Sequence, residues 1–209
     1  MTTRRLVVLL VLSAVPLFAA VTRLLGLATG TPELEGAARF AAAPVTAVLH
    51  IVGLTTFFTV GAFQFLPSLQ KTSWHRRAGR VLAAGAVVGA LAGVWMVWRW
   101  EPKEWDSPAL NAVRVVVAFA IVGFVVTSVL AARRRDFSAH AAWMTRAWAL
   151  CAGAGTQVLT MSVFIVPGFE TLQSRGSYAL LMSAGWGINA LIAEWVLARP
   201  SLRSLEVAS

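Results

Sequence analysis

The chain has 209 residues, 58% of them hydrophobic and 13% charged, with a mean hydropathy of +0.72. Soluble domains carry about a quarter charged residues, so this composition excludes an ordinary soluble fold and indicates an integral membrane protein. The net charge of +9 does not indicate nucleic-acid binding. Its basic residues stand in short clusters between apolar runs, where orientation in a bilayer accounts for them. A single cysteine, Cys151, excludes an internal disulfide and any CxxC motif.

Six apolar runs follow in chain order: Leu6–Ala28, Val45–Pro67, Val81–Trp98, Ala112–Ala132, Ala147–Val166 and Tyr178–Ala198. Each is long enough to cross roughly 30 Å of hydrocarbon, which takes about 20 helical residues. They are uninterrupted rather than alternating, and lipid accepts only helices or closed barrels. The expected fold class is an all-α integral membrane protein, with six transmembrane helices in one domain over residues 1–209. The first run, after "MTTRR" and with "LFAAV" inside it, also fits a signal peptide. Its length favours an uncleaved anchor.

Orientation follows from Lys and Arg. With the N-terminus inside, the clusters Arg4–Arg5, Lys71 to Arg80 and Arg133–Arg135 all face the cytoplasm, as do Arg146, Arg199 and Arg203. Arg23, Arg39, Arg99, Lys103, Arg114 and Arg175 are left outside. The positive-inside rule therefore expects both termini in the cytoplasm, in a bacterial cytoplasmic membrane. Trp95, Trp98, Trp100 and Trp105 form an outer belt, and Trp74, Trp143 and Trp195 sit near the inner one.

The second and fourth runs each end in a basic loop with a His and then an Arg, His75 with Arg80 and His140 with Arg146. The second to fifth runs thus read as two similar hairpins, a four-helix core over 45–166. The first and sixth runs would be peripheral, followed by a short cytoplasmic tail, 199–209. In the third run Gly85, Gly89 and Gly93 recur every four residues, a ridge that admits another backbone closely. Cys151 to Gly155 form a second small patch.

Ionisable groups inside a bilayer are costly, so each is a functional candidate. His50 lies just inside the second run, near the outer face, and Arg114 enters the fourth from the same side. Gln157 and Asn189 lie at mid-membrane. These three, His50, Arg114 and Gln157, are the candidates for an outer cavity. Structural roles compete with this: Arg114 snorkelling outward, and Gln157 and Asn189 as interhelical glue. Glu194 is expected to pair with Arg199.

His50 and His75 are about 35 Å apart along helix at about 1.5 Å per residue, so one metal cannot bind both. His75 and His140 fall at one depth on neighbouring hairpins. Two imidazoles there would suit a haem b iron or another transition metal. Arg76, Arg80 and Arg146 would meet acidic groups, and Met144 shares a helix face with His140. Anchoring at the headgroup level is the competing account of both histidines. HExxH, P-loop, GxSxG and DDxxD patterns are absent.

Four stretches carry a resemblance: "HIVGLTTFFTVGAFQFLPSL" from His50, "HRRAGRV" from His75, "HAAWMTRAWALCAGAGTQVLT" from His140 and "SAGWGINALIAEWV" from Ser183. With them the chain resembles a bacterial membrane family catalogued as domain of unknown function 2306. The family pattern is matched at His50, Gln64, His75, Arg76, Gly79, Arg80, His140, Trp143, Met144, Arg146 and Gln157. Gln70–Lys71 stands where an Arg often closes the preceding stretch. The resemblance implies a multi-helix membrane protein and brings no settled activity. A looser similarity is to six-helix, ascorbate-reducible b-type cytochromes, whose core holds two histidine pairs. Here only His75 and His140 can pair, which leaves one haem site.

The leading expectation is a redox or haem-associated membrane protein using His75 and His140. The alternative is a membrane enzyme or binding protein for a lipid, isoprenoid or quinone-like ligand, using His50, Arg114 and Gln157. A non-catalytic assembly subunit is the third. The bilayer is the expected partner in all three, with a second copy or a redox protein as a further one, and nucleic acid is not.

Overall fold

The computed structural model describes residues 3–30, 40, 42–101, 104–165 and 173–199, with side chains from Ala14 onward apart from Val163 and Ile165. Arg39, Lys103, Arg203, the end of the fifth run at Val166 and the 200–209 tail lie outside the described residues. So do the side chains of Arg4 and Arg5. Helices account for the described elements in this order: α1 Thr3–Thr29, α2 Pro44–Thr59, α3 Pro67–Gln70, α4 Ser73–Arg99, α5 Pro108–Arg133, α6 Phe137–Met161 and α7 Arg175–Ala198. A 3-10 segment, Val60–Phe65, prolongs α2, and another, Ser162–Ile165, follows α6. Among the described residues there is no strand.

Among the described residues, four helical segments are long and apolar enough to cross a membrane: Pro44–Phe65, Ser73–Arg99, Pro108–Arg133 and Arg175–Ala198. The described apolar part of α1, Ala14–Thr29, is shorter. α6 is a helix of 25 residues, but it carries His140, Arg146 and Gln157 along one continuous rod.

Each long helix from α4 to α7 starts where a short polar side chain takes up an orphan backbone N–H. Thr72 accepts from His75 N at 3.3 Å, Ser107 from Leu110 N at 3.2 Å, Asp136 from Ala139 N at 2.9 Å and Ser174 from Ser177 N at 3.1 Å. The α5–α6 turn is the tightest. Arg135 takes the left-handed conformation at φ 64. Its N–H reaches Ala132 O and the Asp136 N–H reaches Ala131 O, each at 3.0 Å. This is a Schellman end that closes α5, and Asp136 then caps α6. Ser128 and His140 are thereby brought face to face.

The buried core joins four helices: Phe57 and Phe58 of α2, Leu82, Ala83, Ala86 and Ala90 of α4, Ala118, Ile121 and Val125 of α5, and Ala147, Leu150, Cys151 and Ala152 of α6. The glycine ridge of α4 seats α2. A Cβ on Gly53 would strike the Gly85 carbonyl, and one on Gly89 would lie 3.1 Å from Leu54 N. Only hydrogen atoms fit in that seam.

The sixth run is peripheral on one side only. Leu180 and Leu191 of α7 are exposed, as a lipid-facing surface requires. Its other side is keyed into α6, with Gly185 against Gln157 and Gly153 against Trp186. Asn189 Nδ2 also donates to Thr156 Oγ1 at 2.6 Å. The expected Glu194–Arg199 pair is corrected: Glu194 takes Arg146 of α6 in a two-pronged contact, with Nη2 to Oε2 at 2.8 Å. Arg199 instead lies over the Trp195 ring, 3.4 Å from its centroid. Arg199, five residues on, falls on neither the i+3 nor the i+4 position that shares the face of Glu194, whereas Arg146 meets both carboxylate oxygens across the α6–α7 interface.

Gly53→Ala is expected to lower the thermal midpoint in detergent, by the equivalent of about 1–3 kcal/mol for overpacking. Gly123→Ala, where nothing lies within 4 Å, is expected to match or exceed the wild type through helix propensity alone.

Candidate functional site

The glycine ridge does more than join helices. A Cβ on Gly93 would sit 2.9 Å from His50 Nδ1, so the bare ridge makes room for that ring. His50 Nδ1 donates to Gly89 O at 2.9 Å. A carbonyl only accepts, so Nδ1 carries the proton and Nε2 of the neutral ring is left as an acceptor.

His50 lines a cavity of about 510 Å³. Arg114 of α5 and Gln157 of α6 line the same cavity, so the three residues singled out for an outer site converge from three helices. The walls are apolar, with Leu54 and Phe58 from α2, Ala90 and Met96 from α4, Ile121 from α5 and Trp186 from α7. Asp106, Asn111 and Arg23 of α1 supply further polar groups.

Arg114 does not snorkel free. Its Nη1 donates to Asp106 Oδ1 at 2.7 Å and to Asn111 Oδ1 at 2.8 Å. The Asp106 side chain is 5% exposed and that of Arg114 24%, so removing the cation would strand a buried carboxylate at about 3–5 kcal/mol. Gln157 Nε2 donates to Met182 O at 2.9 Å. It therefore bridges α6 and α7, as the glue account holds, while also facing the cavity.

The second site lies at the basic ends of α4 and α6. The His75 and His140 rings stand edge to face with centroids 6.4 Å apart. His140 Nδ1 approaches Ser128 Oγ at 2.8 Å and Ser128 O at 3.1 Å, while Ser128 Oγ donates to His140 O at 2.9 Å. Nδ1 is therefore the protonated nitrogen, and Nε2 is left available. His75 Nδ1 is buried without a partner, as are both amide atoms of Gln64, whose Oε1 lies beside Gly79, one turn on from His75. Met144 packs against the core nearby on α6. Among the described residues no three His, Cys, Asp or Glu side chains gather as a metal site.

Of the arginines assigned to this end, Arg76 and Arg80 are exposed, and Arg80 Nε donates to Arg76 O at 3.1 Å. Arg146 is engaged by Glu194 and stacks over Trp143 at 4.7 Å. Neither His75 nor His140 lines the cavity, so the two sites are separate.

Sequence reasoning missed Arg23, Ser128 and the polar isolation of Gln64. Arg23 and Ser128 each interrupt an apolar run, which was the available signal. Which face they occupy depends on the packing.

Fold and site define an all-helical membrane protein with a largely apolar cavity lined by a few polar side chains and a separate histidine pair. The chain belongs to the family described as "Predicted membrane protein (DUF2306)", whose family model matches residues 47–197. No curated protein and no solved structure matches the chain.

A buried amide without partners costs about 1–3 kcal/mol. Gln64→Met is therefore expected to raise the thermal midpoint of the purified protein. An unchanged or lower midpoint would mean that the amide is satisfied in solution.

Proposed function

We propose that the protein binds a lipid- or isoprenoid-type ligand, quinone-like molecules included, in its outer-side cavity. His50, Arg114 and Gln157 meet the polar head, and the apolar walls take the tail. One observation carries this: three polar side chains from α2, α5 and α6 line a single cavity of about 510 Å³ with apolar walls. Sites for small ligands have this form, mostly apolar with a few placed polar groups. In the neutral ring His50 Nε2 accepts a hydroxyl hydrogen bond, and it is the group positioned to take a proton from a bound head.

The second reading is a redox role with one haem b or transition metal at His75 and His140. The ring separation of 6.4 Å favours it. Metal–imidazole bonds of about 2.0–2.1 Å would put the centres of two rings on opposite sides of one ion about 6 Å apart, and one of the edge-to-face rings would turn to aim its nitrogen there. The bound group would supply electron transfer. His75 and His140 would hold it, and Arg76 and Arg80 would remain for acidic substituents.

In either case we assign six spans, α1, α2 with its 3-10 extension, α4, α5, α6 and α7, to a bacterial cytoplasmic membrane. Both termini are cytoplasmic and the cavity lies toward the outer side. The basic clusters Lys71 to Arg80 and Arg133–Arg135 support this orientation.

Solvent extraction of the purified protein should release a co-purifying amphiphile. His50→Ala should cut its amount about tenfold, the scale of one lost hydrogen bond to a buried polar head, and His75→Ala should leave it in place. A Soret band or stoichiometric metal that disappears in His75→Ala would select the second reading instead. For topology, a cysteine at Arg134→Cys should react with a membrane-impermeant maleimide from the cytoplasmic side only. Cys151 is buried and should stay silent.

A further inference from the structure

We propose that the cavity ligand carries an anionic head, a carboxylate or a phosphate ester on an apolar chain, and that Arg23 binds it. This rests on the cavity reading above and names its ligand class.

Among the described lining residues of the cavity the charges are unequal. Two guanidinium groups line the cavity, Arg114 and Arg23. Asp106 is the one carboxylate among the described lining residues, and it is held by Arg114 at 2.7 Å. Arg23 has no such match: its Nη1 is buried without a hydrogen-bond partner. Its guanidinium carbon lies 4.4 Å from the Phe40 ring centroid, and Phe40 in turn meets Trp100 edge-on at 4.8 Å. The aromatic contact engages the flat face of the guanidinium and stabilises it there. It gives the in-plane N–H donors nothing to bond.

A guanidinium keeps its charge, so burial cannot be relieved by losing a proton. Arg23 is half-buried, and on the side where Nη1 is shut off from solvent an anion with hydrogen bonds to it is the partner that offsets the cost. A carboxylate or phosphate oxygen offers both, in the forked geometry that arginine favours. A neutral head would leave the charge unbalanced, and a cationic head would add to it. The apolar walls of Leu54, Phe58 and Ile121 then receive the chain.

The test uses the full protein in phosphatidylcholine vesicles with three photoreactive probes of one tail: palmitate, hexadecyl phosphate and hexadecanol. Cross-linked cavity peptides around Ala19, Val117 and Met182 are counted by mass spectrometry. At least one anionic probe should label them about tenfold more than the alcohol, the scale of one charge-assisted hydrogen bond. The stronger of the two anions identifies carboxylate or phosphate as the head. Arg23→Gln should bring anion labelling down to the alcohol's level, and Arg23→Lys should keep most of the preference. Unchanged alcohol labelling in Arg23→Gln certifies an intact cavity. If that variant does not fold, the wild-type ratio of anion to alcohol decides. Equal labelling by all three probes, or an anion preference that survives Arg23→Gln, overturns the inference and leaves the cavity reading standing. Absence of cavity labelling by every probe overturns both.

Discussion

The backbone-to-backbone seam between α2 and α4 is the constraint on which the cavity half of the molecule depends. In lipid, helices gain little from hiding apolar surface, so close van der Waals packing must hold them together. Gly53, Gly85, Gly89 and Gly93 permit that approach. The same absence of side chains exposes the Gly89 carbonyl to His50 and leaves room for its ring. A single device thus joins two helices, fixes a tautomer and opens one wall of the cavity.

Charge is managed differently at the two ends. Toward the cavity, Arg114 meets an Asp106 carboxylate that is shielded from solvent. Toward the basic end, Arg146 and Glu194 tie α6 to α7 with a carboxylate side chain that is 55% exposed. The more shielded pair costs more to break and does more to fix geometry. The exposed pair contributes less, and α6 and α7 do not rely on it alone. Gln157, Asn189 and Thr160 all reach across the same interface.

Much of this was legible in the sequence. Uninterrupted apolar runs imposed helices, and the four-residue glycine period marked the seam. His50, Arg114 and Gln157 fell together because depth in a membrane is readable from position along a helix. Rotation about the helix axis is not readable in that way. Arg23 and Asp106 share a cavity, and Glu194 chooses Arg146 over the nearer Arg199, because of helix facing that tertiary packing sets. Ser128 was missed for the same reason, since a lone serine in "VVTSVLAA" has no period of its own. Gln64 lies in the 3-10 extension of α2, where the turn tightens and shifts every following side chain.

The Schellman turn at Arg135 has a consequence for the order of assembly. The Ser128–His140 contact spans 12 residues of chain, whereas His50–Gly89 spans 39. Loop-closure entropy rises with span, and local contacts form first. The α5–α6 hairpin is therefore a self-contained unit that can lock as soon as it leaves the ribosome and enters lipid. The cavity must wait for α7, the last helix to be made, to join α1, α2 and α4. Newly made chains would thus acquire the Ser128–His140 lock before they have anywhere to put a ligand.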